Sequence, residues 1–329
     1  MECHRRKKLF YIIFLYLFFS FINLSPFILK ADAHIFVYHR FGDERYPSTN
    51  TSIEELKREF EYFKKNNYKI VSLKKLVKSI KNKKEIPDNW IVLTIDDGYK
   101  SFYKNALWLF KKYNYPFTLF VSTKPTEEKW KDFMSWDEIK ECEKYGEIAL
   151  HSHSHPHLTH LSDSKIKKDT KTSITIFEKN LGYMPKYYAY PYGEYDDRVK
   201  KIIKSFGFEA ICNQNIGAIN KDSDIYDLDR IALVGEIKNL NFFLKLKHLN
   251  ALWIEPKNYP KNGVLNKIKV RIFENVKKAQ IYVTDYGWKW VKVNNGLIEE
   301  NLNYKLKKSR VRVIIKVKNS KINTKILVK

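Results

Sequence analysis

Short apolar runs alternate with amphipathic stretches through most of this chain, and that alternation is the signature of repeated βα units. Ile35–Tyr38 reads as a strand, and Ser52 to Asn66 as a helix opened by a Thr51 or Ser52 cap with acidic residues in its first turn. Trp90–Ile95 is a continuous apolar run of the kind buried on both faces of a parallel sheet. Tyr103 to Tyr113 predicts a helix, Phe117 to Ser122 a strand, Trp136 to Tyr145 a helix and Glu147 to Leu150 a strand. A helix from Ile166 to Leu181, a strand at Tyr187–Tyr190, a helix near Asp196 to Phe206 and a strand at Phe208–Cys212 continue the series. Repetition over about 215 residues predicts an α/β fold, a (β/α) barrel or a distorted relative of one.

Near residue 250 the pattern changes. Lys267 to Phe273, Gln280 to Thr284, Trp288 to Val293, Arg310 to Val317 and Ile322 to Val328 alternate apolar and polar residues between turn signals. They predict a small antiparallel β-sandwich, giving three segments: 1–33, 34–250 and 251–329. The last segment holds 19 basic and five acidic residues, +14 of the chain's +24. Such an excess suggests an anionic polymer or membrane surface as partner, a lysine-rich coding bias being the plainer alternative. Alternation puts Trp288 and Trp290 on one face of their strand. Burial in the core is the first expectation for that pair, and an exposed, sugar-stacking edge is the second.

Residues 1–33 read as an export signal. Arg5, Arg6, Lys7 and Lys8 precede an apolar run from Leu9 to Leu24, Pro26 breaks it, and Ala31-Asp32-Ala33 fits a small-x-small cleavage site. An uncleaved anchor is the alternative, since Leu9 to Leu29 nearly spans a bilayer. Either way the remainder is expected outside the cytoplasm, in the periplasm, at the cell envelope or secreted, and nucleic acid is not the expected partner. Three cysteines are too few for a disulfide scaffold. Cys142 and Cys212 are expected as buried free thiols, with a disulfide between them as the alternative.

Four segments carry chemistry. Asp96-Asp97-Gly98 closes the apolar strand, where one carboxylate can bind a metal and the other activate water; a polar turn with an Asp cap is the plainer reading. His151, His153, His155 and His157 follow a short strand, with His160 nearby, and so dense a set suits a zinc-like cation. Pro156 keeps His155 out of the right-handed helical region, so these ligands sit on a shaped loop. Tyr187 to Gly193 is aromatic around Pro191; it could stack on sugars and present a backbone N–H to an oxyanion, or simply pack a core. Arg230, in Asp227-Leu-Asp229-Arg230-Ile231, could orient a catalytic carboxylate or form a surface ion pair.

Together these segments resemble the polysaccharide deacetylase family, the NodB-like carbohydrate esterases, from about Ile35 to Leu233. The resemblance implies a NodB-like distorted (β/α) barrel and hydrolysis of N-acetyl groups on an aminosugar polysaccharide, an N-acetylglucosamine polymer of matrix or wall. It implies Asp96 as catalytic base, Asp97, His151 and His155 as ligands of a divalent metal, and the Tyr192 backbone N–H as oxyanion donor. Zinc is the first expectation for the metal, with cobalt, nickel or iron also compatible. The family usually carries an arginine two residues before the motif proline, where this chain has Ala189; Arg230 is expected to supply that charge. The family's late Leu-x-His acid has one candidate here, Leu246-Lys-His248, in what reads as an amphipathic helix. The branch resembling the biofilm poly-N-acetylglucosamine deacetylases places its acid after the first strand, at Tyr38-His39, so His39 is expected to be the general acid. A non-catalytic carbohydrate-binding protein on this scaffold and an O-acetyl esterase are the rival readings.

Overall fold

The computed structural model describes residues 32–329 other than Glu236. Nearly all of the expected export signal, residues 1–31, lies outside the described residues, and no described helix is long and apolar enough to cross a membrane. Strands β1 (His34–Tyr38), β2 (Lys69–Ile70), β3 (Trp90–Ile95), β4 (Thr118–Val121), β5 (Glu147–Leu150), β6 (Tyr187–Ala189), β7 (Ala210–Cys212) and β8 (Ile231–Ala232) form one sheet. Its order is β8-β1-β3-β4-β5-β6-β7, with β2 beside β3, and every pairing is parallel. This is the curved sheet of a distorted (β/α) barrel.

Period-two alternation divides the sheet's side chains between two cores. Phe36, Tyr38, Leu93, Ile95, Leu119, Val121, Leu150 and Tyr188 face the surrounding helices. Ile35, Val92, Phe120, Ala149, Ala189 and Cys212 face the concave side. There they meet Leu73, Leu76, Val77 and Ile80 of the helix Leu73–Lys81, an element absent from the predicted series. That helix crosses the N-terminal ends of the strands. Its Lys74 N–H donates to Glu147 at the start of β5, Lys75 lies over the Trp90 ring at the start of β3, and Lys81 pairs with Glu209 just before β7. It forms the floor of the barrel. Ser72 caps it, as Ser52 caps the helix Ile53–Lys65, each hydroxyl accepting a backbone N–H three residues on.

Eight further strands follow: β9 (Lys247–His248), β10 (Ala251–Glu255), β11 (Val264–Ile272), β12 (Lys278–Val283), β13 (Gly287–Lys292), β14 (Leu297–Lys305), β15 (Arg310–Lys316) and β16 (Lys321–Val328). They build a five-stranded sheet, β9-β16-β15-β12-β13, and a three-stranded sheet, β10-β11-β14. Val270, Ile281, Val291, Val313 and Ile315 fill a separate core between them. The outer face of the larger sheet docks on the barrel. Ile314 and Ile322 join Leu244 and Leu246 in the barrel's helix-side core, and the Thr324 hydroxyl donates to Ile216 O at 2.7 Å.

Three expectations are corrected. Leu246-Lys-His248 is strand rather than helix: Leu246 and Leu249 mimic a helical spacing, but the backbone pairs in parallel with the β16 edge and the His248 N–H donates to Asp32. Trp288 and Trp290 are not core residues. The core side of β13 is taken by Val291, so the even-numbered positions face outward, and the two indoles are 48% and 65% exposed. The strands β10 and β14 add to the predicted set: β10 is a short apolar run without alternation, with Leu252 exposed, and the exposed polar positions of β14 obscure its apolar alternation. Cys142 and Cys212 are buried free thiols.

Candidate active site

Asp96 and Asp97 sit at the C-terminal end of β3, the end at which parallel α/β folds place their chemistry. Asp96 shares the concave side with Thr94 and has no solvent exposure. Arg230, immediately before β8 and equally buried, grips it through two parallel bonds, Nη1 to Oδ1 at 2.7 Å and Nη2 to Oδ2 at 2.8 Å. The same guanidinium donates to Thr94 Oγ1 at 3.2 Å and through Nε to Asn213 O at 2.8 Å. Burial opposes the charge on Asp96, but Arg230 outweighs it and holds the carboxyl below its ordinary range. The alternative of a surface ion pair for Arg230 is excluded by its depth.

The chain then turns sharply, with Asp97 at φ 72° and Gly98 at φ 83°. This turn swings the Asp97 carboxylate toward the loop that follows β5. In that loop Ser152 and His155 also adopt left-handed conformations, at φ 67° and 52°. Tyr192, in the loop after β6, does the same at φ 59°. Left-handed backbone is costly for side chains such as these, and Pro156 removes the right-handed alternative for His155. Asp169, from the helix Asp163–Leu181, clamps the loop: its Oδ1 accepts the His153 N–H at 2.9 Å, and its Oδ2 accepts the Ser154 N–H at 3.1 Å and hydroxyl at 2.6 Å.

His151 donates from Nδ1 to Ala189 O at 2.8 Å, which fixes its tautomer and leaves the Nε2 lone pair facing the aspartates. Burial pushes its pKa down to about 4, so the ring stays neutral at physiological pH. For His155 burial works in the same direction, but the Asp97 carboxylate outweighs it and the net shift is upward. Nε2 of His151 and Nε2 of His155 lie 3.4 and 3.2 Å from Asp97 Oδ1, and 3.2 Å from each other. A tetrahedral cation with ligand bonds of about 2.1 Å has ligand–ligand edges of about 3.4 Å, so this triangle has the dimensions of one ligand face. Asp97 Oδ1 is also buried without a hydrogen-bond partner, an expensive state for a carboxylate unless a cation completes it. The three residues form a group able to hold a metal ion.

The other candidates divide clearly. His39 follows β1 beside this centre, close enough to favour the charged forms of both Asp96 and Asp97. His248 lies at the opposite end of β1: its backbone is bound by Asp32, and its Nδ1 is 3.0 Å from Ala218 O. The five residues of β1 put about 15 Å between the two ends. The Tyr192 ring stands at the mouth, 4.4 Å edge-on from His155 and stacked 4.1 Å from His157. His153 Nδ1 contacts Thr123 Oγ1 and His157 Nδ1 contacts Glu194 Oε2, so neither joins the triangle. Sequence reasoning missed Asp169, Asn213 and Gln214, whose Nε2 reaches Asp96 Oδ2 at 3.4 Å. The polar run Asn213-Gln214-Asn215 directly after β7 was the available signal, since strand ends in such barrels carry the chemistry.

Residues 83–211 match the family model described as Polysaccharide deacetylase. The chain is 26% identical over 211 residues to the poly-beta-1,6-N-acetyl-D-glucosamine N-deacetylase of Staphylococcus aureus, covering 60% of this chain and 72% of that one. Among solved structures, a Streptococcus pyogenes deacetylase in complex with acetate superimposes with a TM-score of 0.60 at 21% identity, covering 65% of this chain and 99% of the other. IcaB from Ammonifex degensii gives 0.58 at 22%, covering 65% and 96%. At these identities the structural matches establish the barrel fold.

Proposed function

This chain carries the polysaccharide deacetylase domain and is an enzyme of that family, and from that premise we propose that it hydrolyses the N-acetyl groups of an N-acetylglucosamine polymer outside the cytoplasm. The observation that carries the reading is the Asp97–His151–His155 triangle set beside a second carboxylate, Asp96, that is held ionised by Arg230. Asp97, His151 and His155 would hold a divalent cation, zinc being the ion that best suits one carboxylate and two imidazoles. When bound, such a cation supplies Lewis acidity at the acetyl carbonyl.

The chain's own residues supply the proton transfers. Asp96, ionised and fixed by two bonds, accepts the proton of the water that adds to the amide carbon. The Tyr192 ring packs edge-on against His155, and the backbone N–H of its left-handed turn is the proposed donor to the oxygen that gains charge. As the carbon–nitrogen bond breaks, His39 protonates the departing amine, leaving acetate and a glucosaminyl residue. His39 suits this role better than His248, which faces the far end of the barrel.

Export is supported by the basic, apolar and small-residue succession in residues 1–33. The +14 excess in residues 251–329 supports retention at an anionic envelope polymer or membrane surface. The test measures acetate released from defined N-acetylglucosamine polymers, chitin-like oligomers, peptidoglycan and O-acetylated wall polysaccharide by protein loaded with zinc, cobalt, nickel or iron. Release confined to O-acetylated material would defeat the amidase reading, and no release from any polymer would defeat the enzyme.

A further inference from the structure

The sheet face that docks on the barrel continues beyond it as an open shelf. Along β15 this face carries Arg310, Arg312, Ile314 and Lys316; in register across β12 and β13 lie Tyr282 with Trp288 and Gln280 with Trp290. Ile314 is buried against the barrel, whereas the two tryptophans are exposed at the β13 edge. The shelf begins at the catalytic mouth. The Tyr192 ring that touches His155 stacks on His157, His157 Nδ1 lies 2.7 Å from Glu194 Oε2, and Arg310 Nε lies 3.8 Å from Glu194 Oε1. Further out, the Tyr282 and Trp288 rings are 5.3 Å apart. From Arg310 to Lys316 the strand runs about 20 Å, and β13 stands about 10 Å to the side.

Two chemical features define what this shelf takes. Its aromatic faces suit the apolar faces of sugar rings, and Arg310 Nε and Nη2 and Arg312 Nε are buried donors without acceptors, suited to carbonyl and hydroxyl oxygens. Every charged residue on the face is basic: Arg310, Arg312 and Lys316, with Lys278 and Lys292 on the flanking strands. A free aminosugar is a cation at neutral pH, whereas its acetylated form is neutral and offers one more carbonyl acceptor. We propose that this shelf extends the substrate groove, binding acetylated stretches of the polymer and rejecting stretches already converted to free amines. The proposal rests on the deacetylase reading of the neighbouring centre. An ammonium about 8 Å from one cation in water loses about a factor of two in binding, so three such neighbours give about tenfold discrimination, and salt weakens it.

The test uses the full chain. In an Asp96→Asn background, which slows turnover about a hundredfold or more, calorimetry at pH 6 compares a β-1,6-linked N-acetylglucosamine hexamer with the glucosamine hexamer. The acetylated hexamer binds about tenfold tighter at low salt, and the ratio falls toward one in Lys278→Gln/Lys316→Gln and at 1 M salt. In the otherwise native enzyme, Trp288→Ala/Trp290→Ala raises the KM for long polymer about tenfold more than it raises the KM for an N-acetylglucosamine dimer. Equal affinity for the two hexamers, an unchanged polymer KM in the tryptophan variant, or tighter binding of a polyuronate hexamer than of the acetylated one overturns the proposal. Absence of acetate release from dimer and polymer alike defeats the deacetylase reading instead, and the hexamer comparison still decides whether the shelf discriminates.

Discussion

Replacing Arg230 by methionine removes two charge-assisted bonds, of 2.7 and 2.8 Å, from a carboxylate with no solvent exposure. Breaking a fully buried pair from one side costs about 3–5 kcal/mol, because the remaining charge has no water to turn to. The variant escapes part of that cost by protonating Asp96. In the native protein the arginine outweighs burial and the Asp96 pKa is depressed, so its contribution to stability is present above the ordinary carboxylate range and lost as pH falls through the folded value. Without the arginine, burial dominates and the folded pKa rises. The gap to native stability is then smallest below the depressed native pKa and widens as pH rises toward the raised pKa of the variant. At 2–4 °C per kcal/mol, the expected drop in Tm at pH 8 is about 10 °C, and clearly smaller at pH 4.5. The acid limb of the acetate-release profile moves to higher pH in parallel. Asp96→Asn in the same background recovers part of the lost stability, since a neutral amide needs no counter-ion, and Ala189→Arg recovers part of the turnover by restoring a guanidinium at the family's usual position. A Tm loss that is equal at both pH values, or below the roughly 2–4 °C that 1 kcal/mol represents, would refute the coupling of Arg230 to the ionisation of Asp96.

Asp97→Ala, His151→Ala and His155→Ala each lose metal retention, measured by elemental analysis after gel filtration, because a three-ligand face has none to spare; Asp96→Asn keeps the metal and loses turnover about a hundredfold or more. His39→Ala lowers turnover strongly at unchanged metal content while His248→Ala has little effect on either, and the reverse pattern would exchange their roles. Glu59, buried beneath Tyr38 and accepting its hydroxyl at 2.7 Å, has its pKa raised by burial to about 7, so its stabilising neutral form is lost as pH rises through that value. Glu59→Gln therefore raises Tm at pH 8 by an amount equivalent to at most about 3 kcal/mol and has little effect at pH 4.5, as thermal unfolding at the two pH values will show.

What could be read from residue order alone depended on how each residue acts. Asp96, Asp97, His151 and His155 announce themselves because each pair sits within one short segment after a strand, where side-chain chemistry and chain position coincide. Arg230 was legible through an absence, the missing charge at Ala189. Asp169 was not, because an aspartate within a helix has no local mark that its oxygens will bind backbone N–H groups of a loop. His39 was legible from its place directly after the first strand, whereas the seat of His248 at the far end of β1 follows from strand pairing, a property of the folded sheet. Trp288 and Trp290 share a face by simple alternation, but only the packing of Val291 inside the sandwich decides that their face is the outer one.

The helix lying across the N-terminal ends of the strands, with Leu73, Leu76, Val77 and Ile80 filling the concave side, makes the barrel a cup rather than a tube. A long glycan cannot be threaded through such a body from one end to the other. A polymeric substrate would have to lie across the lip, dip a single residue toward the triangle and leave sideways, so an acetyl group in the middle of a chain would be as accessible as one at its tip. The pattern of free amines left on a polymer would then reflect where the chain happens to settle on the lip, with no counting inward from its ends.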